Sequence, residues 1–241
     1  KADGSLKTIN DSAFSGCTGL KTVELNEGLE TINSSAFANC SALTGIALPG
    51  SLTKIGESAF SGCSGLKSIG IPDGVRSIFG SVFNNCTGLT EVNLPDTLTT
   101  IYAYAFQNCT ALESIDIPDS VTTMAARAFY NCTKLSEVGY PASWTVTWDY
   151  YNRINNYADS YPDYRSPFEG CTSLKEITID EGVAAIPKQA FRGHTGLETV
   201  VLPESLDTID AYAFYGCSGL KSIKADGSLK TINDSAFSGC T

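Results

Sequence analysis

The stretch LKSIGIPDGVRSIFGSVFNNCTG, residues 66–88, decides the fold because near copies of it recur along the chain. Its Phe83 and Cys86 form an F-x-x-C step that returns at intervals of 23 residues, with one interval of 39 between Cys132 and Cys171. A period of this length is typical of a solenoid, in which each repeat stacks on its neighbours because it cannot bury its apolar face alone. The sequence therefore predicts a repeat array.

Each repeat is predicted to combine a short strand, a return segment and a tight turn. Residues 66–71 carry an L-x-x-I-x-I pattern, which alternates in and out as a strand with one buried face does. Pro72 ends the strand, and a second apolar pair, Val75 and Ile78, begins the return. Residues 82–86 are interpreted as a short 3₁₀ or helical turn, because Gly, Asn and Ser surround them. We expect a right-handed solenoid of about ten such turns with parallel strands.

The nine cysteines are predicted to form one buried column of free thiols. An odd number with one cysteine per repeat does not suit a disulfide framework. Clusters of the C-x-x-C or C-x-x-H type are absent, so no metal is expected, and no cofactor either. His194, the one histidine of the chain, takes a cysteine position and is interpreted as a polar filler.

Charge and composition exclude several classes of function. The net charge of −10, with only 16 scattered basic residues, disfavours nucleic acid and anionic lipid as partners. No apolar run reaches the length of a membrane span, so membrane insertion is not expected. No nucleophile with a base, paired carboxylates or metal cluster stands out, so the chain is not expected to be an enzyme.

The long interval contains 16 extra residues, which we place as an insertion at about 142–164 of a solenoid that spans residues 1–241. Insertions of repeat arrays emerge on one face, often the binding face, and tyrosine and tryptophan supply rigid contact area. These rings either contact a partner or pack on one another, and the sequence leaves both interpretations open. The candidates for partner contact are Trp144, Trp148, Tyr150, Tyr151, Tyr157, Tyr161 and Tyr164.

The outward positions of the predicted strands form a second candidate surface, expected to be the concave face of the solenoid. Small and acidic residues dominate it, which suits a polar and possibly basic partner, although a solvated face without a ligand is the alternative. Its candidate contact residues are Glu24, Glu91, Asn93, Asp116, Glu137, Glu176 and Thr178.

The two ends of the chain share a sequence. Residues 1–18 recur without change as residues 224–241, through natural duplication or design. Both ends fall inside a repeat and present complementary faces of one core, so end-to-end self-association is expected at high concentration.

The repeat resembles a known family. The unit LESIDIPDSVTTMAARAFYNCT, residues 112–133, is similar at nearly every signature position to the leucine-rich repeat of the BspA-like, or Treponema-type, bacterial surface proteins. The resemblance implies a leucine-rich repeat solenoid that is secreted or held at the cell surface of a bacterium. It also implies adhesion to a protein or glycan on host or neighbouring cells. A spacer or stalk with no ligand of its own is the alternative.

Overall fold

The computed structural model of the chain describes residues 5–147, 165–225 and 229–241. These residues form a parallel β-solenoid of about nine turns of about 23 residues each, called rungs below. The solenoid class and the repeat length are confirmed, and the number of rungs is close to the expected ten. Strands at the same place in successive rungs form two columns, in which most neighbouring strands pair with one another.

The first strand column uses the L-x-x-I-x-I part of each repeat. Its members are β2 (Thr22–Val23), β4 (Gly45–Ile46), β6 (Ser68–Gly70), β8 (Glu91–Asn93), β10 (Ser114–Asp116), β12 (Glu137–Gly139), β14 (Glu176–Thr178), β16 (Thr199–Val201) and β18 (Ser222–Lys224). The middle residue of a three-residue strand points inward, as Ile69, Val92 and Ile115 do, while its neighbours are exposed. The predicted alternation is thereby confirmed in this column.

The second strand column forms from the return segment. Its members are β1 (Thr8–Ile9), β3 (Thr31–Ile32), β5 (Lys54–Ile55), β7 (Ser77–Ile78), β9 (Thr100–Ile101), β11 (Thr123–Ala125), β13 (Thr145–Thr147), β15 (Ala185–Ile186), β17 (Thr208–Ile209) and β19 (Thr231–Ile232). Pairing is parallel and in register, for example between Ile9 and Ile32. Threonine and isoleucine suit these positions because β-branched side chains pack well on a pleated surface.

The third side of each rung is a hydrogen-bonded turn that ends at the cysteine. Sequence analysis predicts a 3₁₀ or helical turn here, but no helix occurs within the described ranges. The backbone explains the difference, because the turns contain two residues of positive φ, such as Ser81 (57°) and Asn85 (59°), except the turn before Cys171, which has Gly170 alone. Left-handed residues interrupt a right-handed helix. Instead, the turn bonds to the next rung, as when the Phe83 N–H donates to the Ala105 carbonyl at 2.8 Å.

The phenylalanines of successive turns stack face to face along the core and are called the Phe column. Centroids of neighbouring rings lie 5.0 to 6.1 Å apart from Phe14 to Phe237. Phe83 and the other internal members are fully buried, whereas Phe14 in the first turn is 37% exposed. Burying one such ring contributes roughly 1.5 to 3 kcal/mol, so this column is a large part of the hydrophobic stabilisation.

The cysteines form a parallel column beside the rings. All nine are free thiols, and seven of them are buried. A thiol bonds back to the preceding rung, as Cys63 does to the Phe37 carbonyl at 3.1 Å and Cys86 to the Phe60 carbonyl at 3.2 Å. Each such thiol therefore satisfies a buried carbonyl group of the turn below it, and the prediction of free thiols is confirmed.

Candidate binding surface

The outward-facing residues of the first strand column lie where the sequence places them. Glu24, Glu91, Asn93, Asp116, Glu137, Glu176 and Thr178 are all exposed. They are spread over five rungs and do not form one cluster. Glu91 accepts a hydrogen bond from its neighbour Asn93 at 3.1 Å. Glu137, Glu176 and Thr178, by contrast, come together around one cavity.

That cavity lies at the second of two breaks in the pairing of the first strand column; the first break is between β8 and β10. β12 is the last strand of a two-stranded sheet, and β14 is the first strand of a separate three-stranded sheet. In most rungs, a carbonyl before the strand accepts from the next rung, as Lys175 does from the Glu198 N–H at 2.7 Å. The Lys175 N–H instead donates to Ser173 within its own turn, at 3.0 Å. Ser136, the residue before β12, thus lines an open space and not a paired strand.

The space between β12 and β14, called the cleft below, has two connected parts. The first has a volume of about 460 Å³ and is lined by residues that include Glu137, Glu176 and Asp180. The second, of about 310 Å³, is lined by residues that include Asp116 and Asp180. Tyr140 and Asp180 line both parts. Volumes of this size are typical of sites that hold a small group or a side chain.

Two large aromatic residues account for the opening. Tyr140 follows β12 at the place where Ile117 follows β10, and Trp144 stands three residues after Pro141, as Val121 does after its own proline. Rungs of paired parallel strands are separated by about 4.8 Å, which suits aliphatic side chains between them. Larger rings set edge-on between two rungs need more room, so we infer that they hold β12 and β14 apart.

The ring geometry supports this inference. Tyr140 meets both Phe168 and Phe191 edge-on, at 5.8 and 5.5 Å between centroids. Trp144 does the same at 6.4 Å from each. The separation of Phe168 from Phe191, at 6.1 Å, is the widest in the Phe column. The turn side of the solenoid thus stays stacked here while the strand side opens.

Trp144 is therefore a core residue in the structure. Its side chain is 5% exposed and stacks on Tyr140, with 6.5 Å between centroids. This corrects the expectation that Trp144 is an exposed contact, because its ring fills the space between two rungs. Trp148, Tyr150, Tyr151, Tyr157, Tyr161 and Tyr164 lie outside the described residues, and their role as contacts stays a prediction.

The register also fixes where the extra residues enter the array. Thr147 pairs with Ala125 in the second strand column. On the other side of the insertion, the Arg127 N–H donates to the Ser166 carbonyl at 3.0 Å, so residue 165 corresponds to residue 126. Residues 148–164 are therefore inserted between positions that are adjacent in the preceding rung. This segment is one residue longer than the 16 extra residues of the interval, because β13 pairs with β11 at a spacing of 22 residues and not 23. The predicted start at about 142 moves to 148, because residues 145–147 belong to a strand.

The chain returns from the insertion through a charged contact. Glu169 accepts from Arg127 Nε and from Arg165, both at 2.7 Å. Arg127 also donates to the Tyr104 hydroxyl at 3.0 Å. Arg127 and Glu169 are only about a fifth exposed, so this network is better shielded than a surface ion pair. It fixes the first residues after the insertion to the rung below.

His194 and two of the cysteines, Cys63 and Cys217, lie buried in the core, where burial shifts their pKa values. His194 is 3% exposed, with its Nε2 2.8 Å from the Leu174 carbonyl. Burial lowers the pKa of His194, because an imidazolium ion loses its hydration there, and the carbonyl only partly opposes this. Burial likewise raises the pKa of Cys63 and of Cys217 to about 12. No group of acidic, histidine and cysteine side chains within the described ranges is arranged to hold a metal ion.

Sequence analysis did not select Tyr140 and Asp180, the two residues that line both parts of the cleft. Tyr140 lies two residues before the predicted start of the insertion. Asp180 carries a signal in hindsight, since it takes the position of the proline that ends the strand pattern, as Pro118 and Pro203 do. Because proline is uncharged and aspartate is negative, Asp180 makes the surface of this rung more acidic than a proline would.

The fold and surface define a parallel-strand solenoid of the leucine-rich repeat class. A sequence model of a protein family, described as the BspA type leucine-rich repeat region (6 copies), matches residues 1–112, 53–156 and 164–241. The chain therefore belongs to the BspA-type leucine-rich repeat family, as its repeat suggested. Solenoids of this family typically serve as binding or scaffold folds. No curated protein sequence matches the chain.

Solved bacterial structures share the architecture. A leucine-rich repeat protein of Bacteroides ovatus is 27% identical, with a TM-score of 0.59 over 98% of this chain and 68% of that chain. A leucine-rich cell surface protein of Faecalibacterium prausnitzii is 31% identical, with a TM-score of 0.55 over 98% of this chain and 63% of its own length. This chain thus spans less than two thirds of the second protein.

A helix of the length and apolar character that crossing a membrane requires does not occur in the part of the chain that the structure describes.

Proposed function

We propose that this protein is a non-enzymatic binding module that acts outside the cell, at a bacterial surface, and recognises a protein or glycan on host or neighbouring cells. The observation that carries the proposal is the interruption at β12 and β14. A regular array is changed there by an insertion, a cleft and a charged residue in place of proline. Leucine-rich repeat proteins generally bind proteins, and one similar solved structure is of a cell surface protein.

The insertion and the cleft lie on the same rung, which supports a single binding region. The tyrosines and tryptophan of residues 148–164 remain our candidates for partner contact, together with the exposed acidic residues of the first strand column. Tyrosine and tryptophan bring large contact area at low entropic cost, which suits recognition of a protein or glycan surface. If the insertion and the acidic residues both contact the partner, together they form one binding surface.

A spacer is the second candidate, and a specific observation favours it. Many surface charges of the described rungs pair with the next rung, as Lys7 does with Glu30 at 2.9 Å and Lys230 with Asp207 at 3.2 Å. Such pairs link neighbouring rungs and stabilise a regular array without any partner. A stalk would need no more than this regularity.

The test is a binding screen of the full chain against host matrix proteins and glycans, with a variant that lacks residues 148–164. Deletion joins Thr147 to Arg165, whose equivalents Ala125 and Ala126 are adjacent, so the variant should keep the register. A binding module should capture at least one partner and lose most of that binding on deletion. The proposal fails, in favour of a spacer, when neither chain binds anything or when both bind equally.

A further inference from the structure

We infer that the cleft between β12 and β14 is a receptor site for a basic side chain, a lysine or arginine on an extended segment of a protein partner. The inference deepens the proposed function and rests on it. Its first support is charge. Seven carboxylates line the two parts of the cleft: Asp96, Asp116, Asp119, Glu137, Glu176, Asp180 and Glu181. No lysine or arginine of the described residues lines either part.

Some of these carboxylates already have structural partners. Asp119 accepts from the Ala142 N–H at 2.7 Å, and Glu181 accepts from the Glu204 N–H at 3.0 Å. Glu137, Glu176 and Asp180, by contrast, form no salt bridge within the described part of the chain. Three like charges around one opening repel one another, and a bound cation would relieve that repulsion.

The second support is a buried polar atom that the fold leaves unmatched. Tyr140 is 5% exposed, and its hydroxyl has no hydrogen-bond partner among the described residues. An unpaired buried hydroxyl destabilises the fold, and such groups are uncommon in a regular core unless something compensates for them. Tyr140 lines both parts of the cleft, and Asp180 is near enough for its charge to act on the phenol.

The shape of the site favours a side chain over a free ion. The larger part alone, of about 460 Å³, is far larger than a cation needs. The described acidic residues also give no cluster arranged for a metal. A lysine or arginine carries an apolar stem that can pack along Tyr140 and Ile177, while its charged end reaches the carboxylates. The backbone edges of β12 and β14 supply further acceptors, since neither strand pairs with the other.

The test measures binding of a capped heptapeptide of alternating glycine and lysine by calorimetry at physiological ionic strength, with arginine and glutamate versions beside it. The cleft variant carries E137Q, E176Q and D180N. Its matched control carries E27Q, D73N and D234N, which remove the same charge from exposed sites that lie outside the cleft and outside the candidate contact residues. We expect the cleft variant to weaken the lysine or arginine peptide by about tenfold and the control by less than about twofold.

Tyr140→Phe gives an independent reading, because it removes the hydroxyl and keeps the ring that separates the rungs. We expect a loss of binding of about threefold, as one hydrogen bond contributes. Equal losses in the cleft and control variants would show attraction by net charge alone and would overturn the inference. So would the absence of basic-peptide binding, or equal binding of the glutamate peptide.

The outcomes separate this inference from the proposed function. If a partner from the screen binds the cleft variant as tightly as the parent chain, the proposed binding function is supported, and the cleft is not part of the binding site. A chain that captures no partner and no basic peptide contradicts both. Melting temperature checks folding, and it should hold or rise in the cleft variant because like charges are removed.

Discussion

The ring of Tyr140 lies edge-on against the ring of Phe191 in the following rung, with 5.5 Å between centroids and 84° between planes. The contact spans the two rungs that border the cleft, whose strands β12 and β14 do not pair. Trp144 makes a similar contact with Phe191, at 6.4 Å. The aromatic pair thus fills the core at the same place where it opens the surface.

Trp144→Ala should destabilise the protein, because it removes a buried ring between two rungs. Truncations of this kind cost about 3 to 5 kcal/mol, and urea unfolding measures the change in free energy. Trp148→Ala is the companion variant, because Trp148 remains a candidate for partner contact. We expect it to lose binding to the partner with little change in the free energy of unfolding. A loss below about 1 kcal/mol for Trp144→Ala would contradict the core position of this ring.

Phe83→Ala should cost much more stability than Phe14→Ala, although both rings belong to the Phe column. Phe83 is fully buried between two neighbours, and we expect a loss of about 3 to 5 kcal/mol. Phe14 is 37% exposed and has one stacked neighbour among the described residues, Phe37, so its loss should be smaller. Equal losses in chemical denaturation would mean that the end rungs are as well packed as the middle.

The thiols should react in an order set by burial. Cys17 is exposed and Cys240 half-buried, while the other seven are buried. Burial raises the pKa of Cys63 to about 12, so it holds almost no reactive thiolate at pH 8. A thiol reagent should label Cys17 first and Cys240 more slowly, and about nine groups only after denaturation. Rapid labelling of most thiols in the native protein would rule out the inward column.

His194 should make the protein sensitive to mild acid. Its pKa is lowered in the folded state, so the unfolded chain binds more protons below the unfolded value of about 6.5. The stability that the neutral ring contributes is present above that pH and is lost as the pH falls towards the lower folded pKa.

His194→Cys restores the cysteine of the other rungs and is the matched comparison, because the remaining titrations are common to both proteins. Melting temperatures from pH 7.5 down to about 5 should fall more steeply for the parent chain than for this variant. Parallel curves for the two proteins would contradict the assignment.

The sequence predicts the features that every rung repeats. Phe83 and Cys86 have counterparts at a fixed period, and inward alternation follows from residues such as Ile69. The left-handed turn residues are harder to recognise, because Ser81 and its counterparts also suit a short helical turn. Tyr140 and Trp144 could not be assigned from composition, since aromatic residues occur in core and contact surfaces alike. Their position depends on the spacing of two rungs, which no local pattern encodes.

Hydrogen exchange measured by mass spectrometry, on the chain alone and bound to the tightest protein partner from the screen, tests the central claim most directly. The account predicts that protection on binding concentrates in peptides that cover residues 136–140 and 174–181, with the rungs away from β12 and β14 unchanged. Protection that is spread evenly along the solenoid, or that falls on rungs away from β12 and β14, would contradict it.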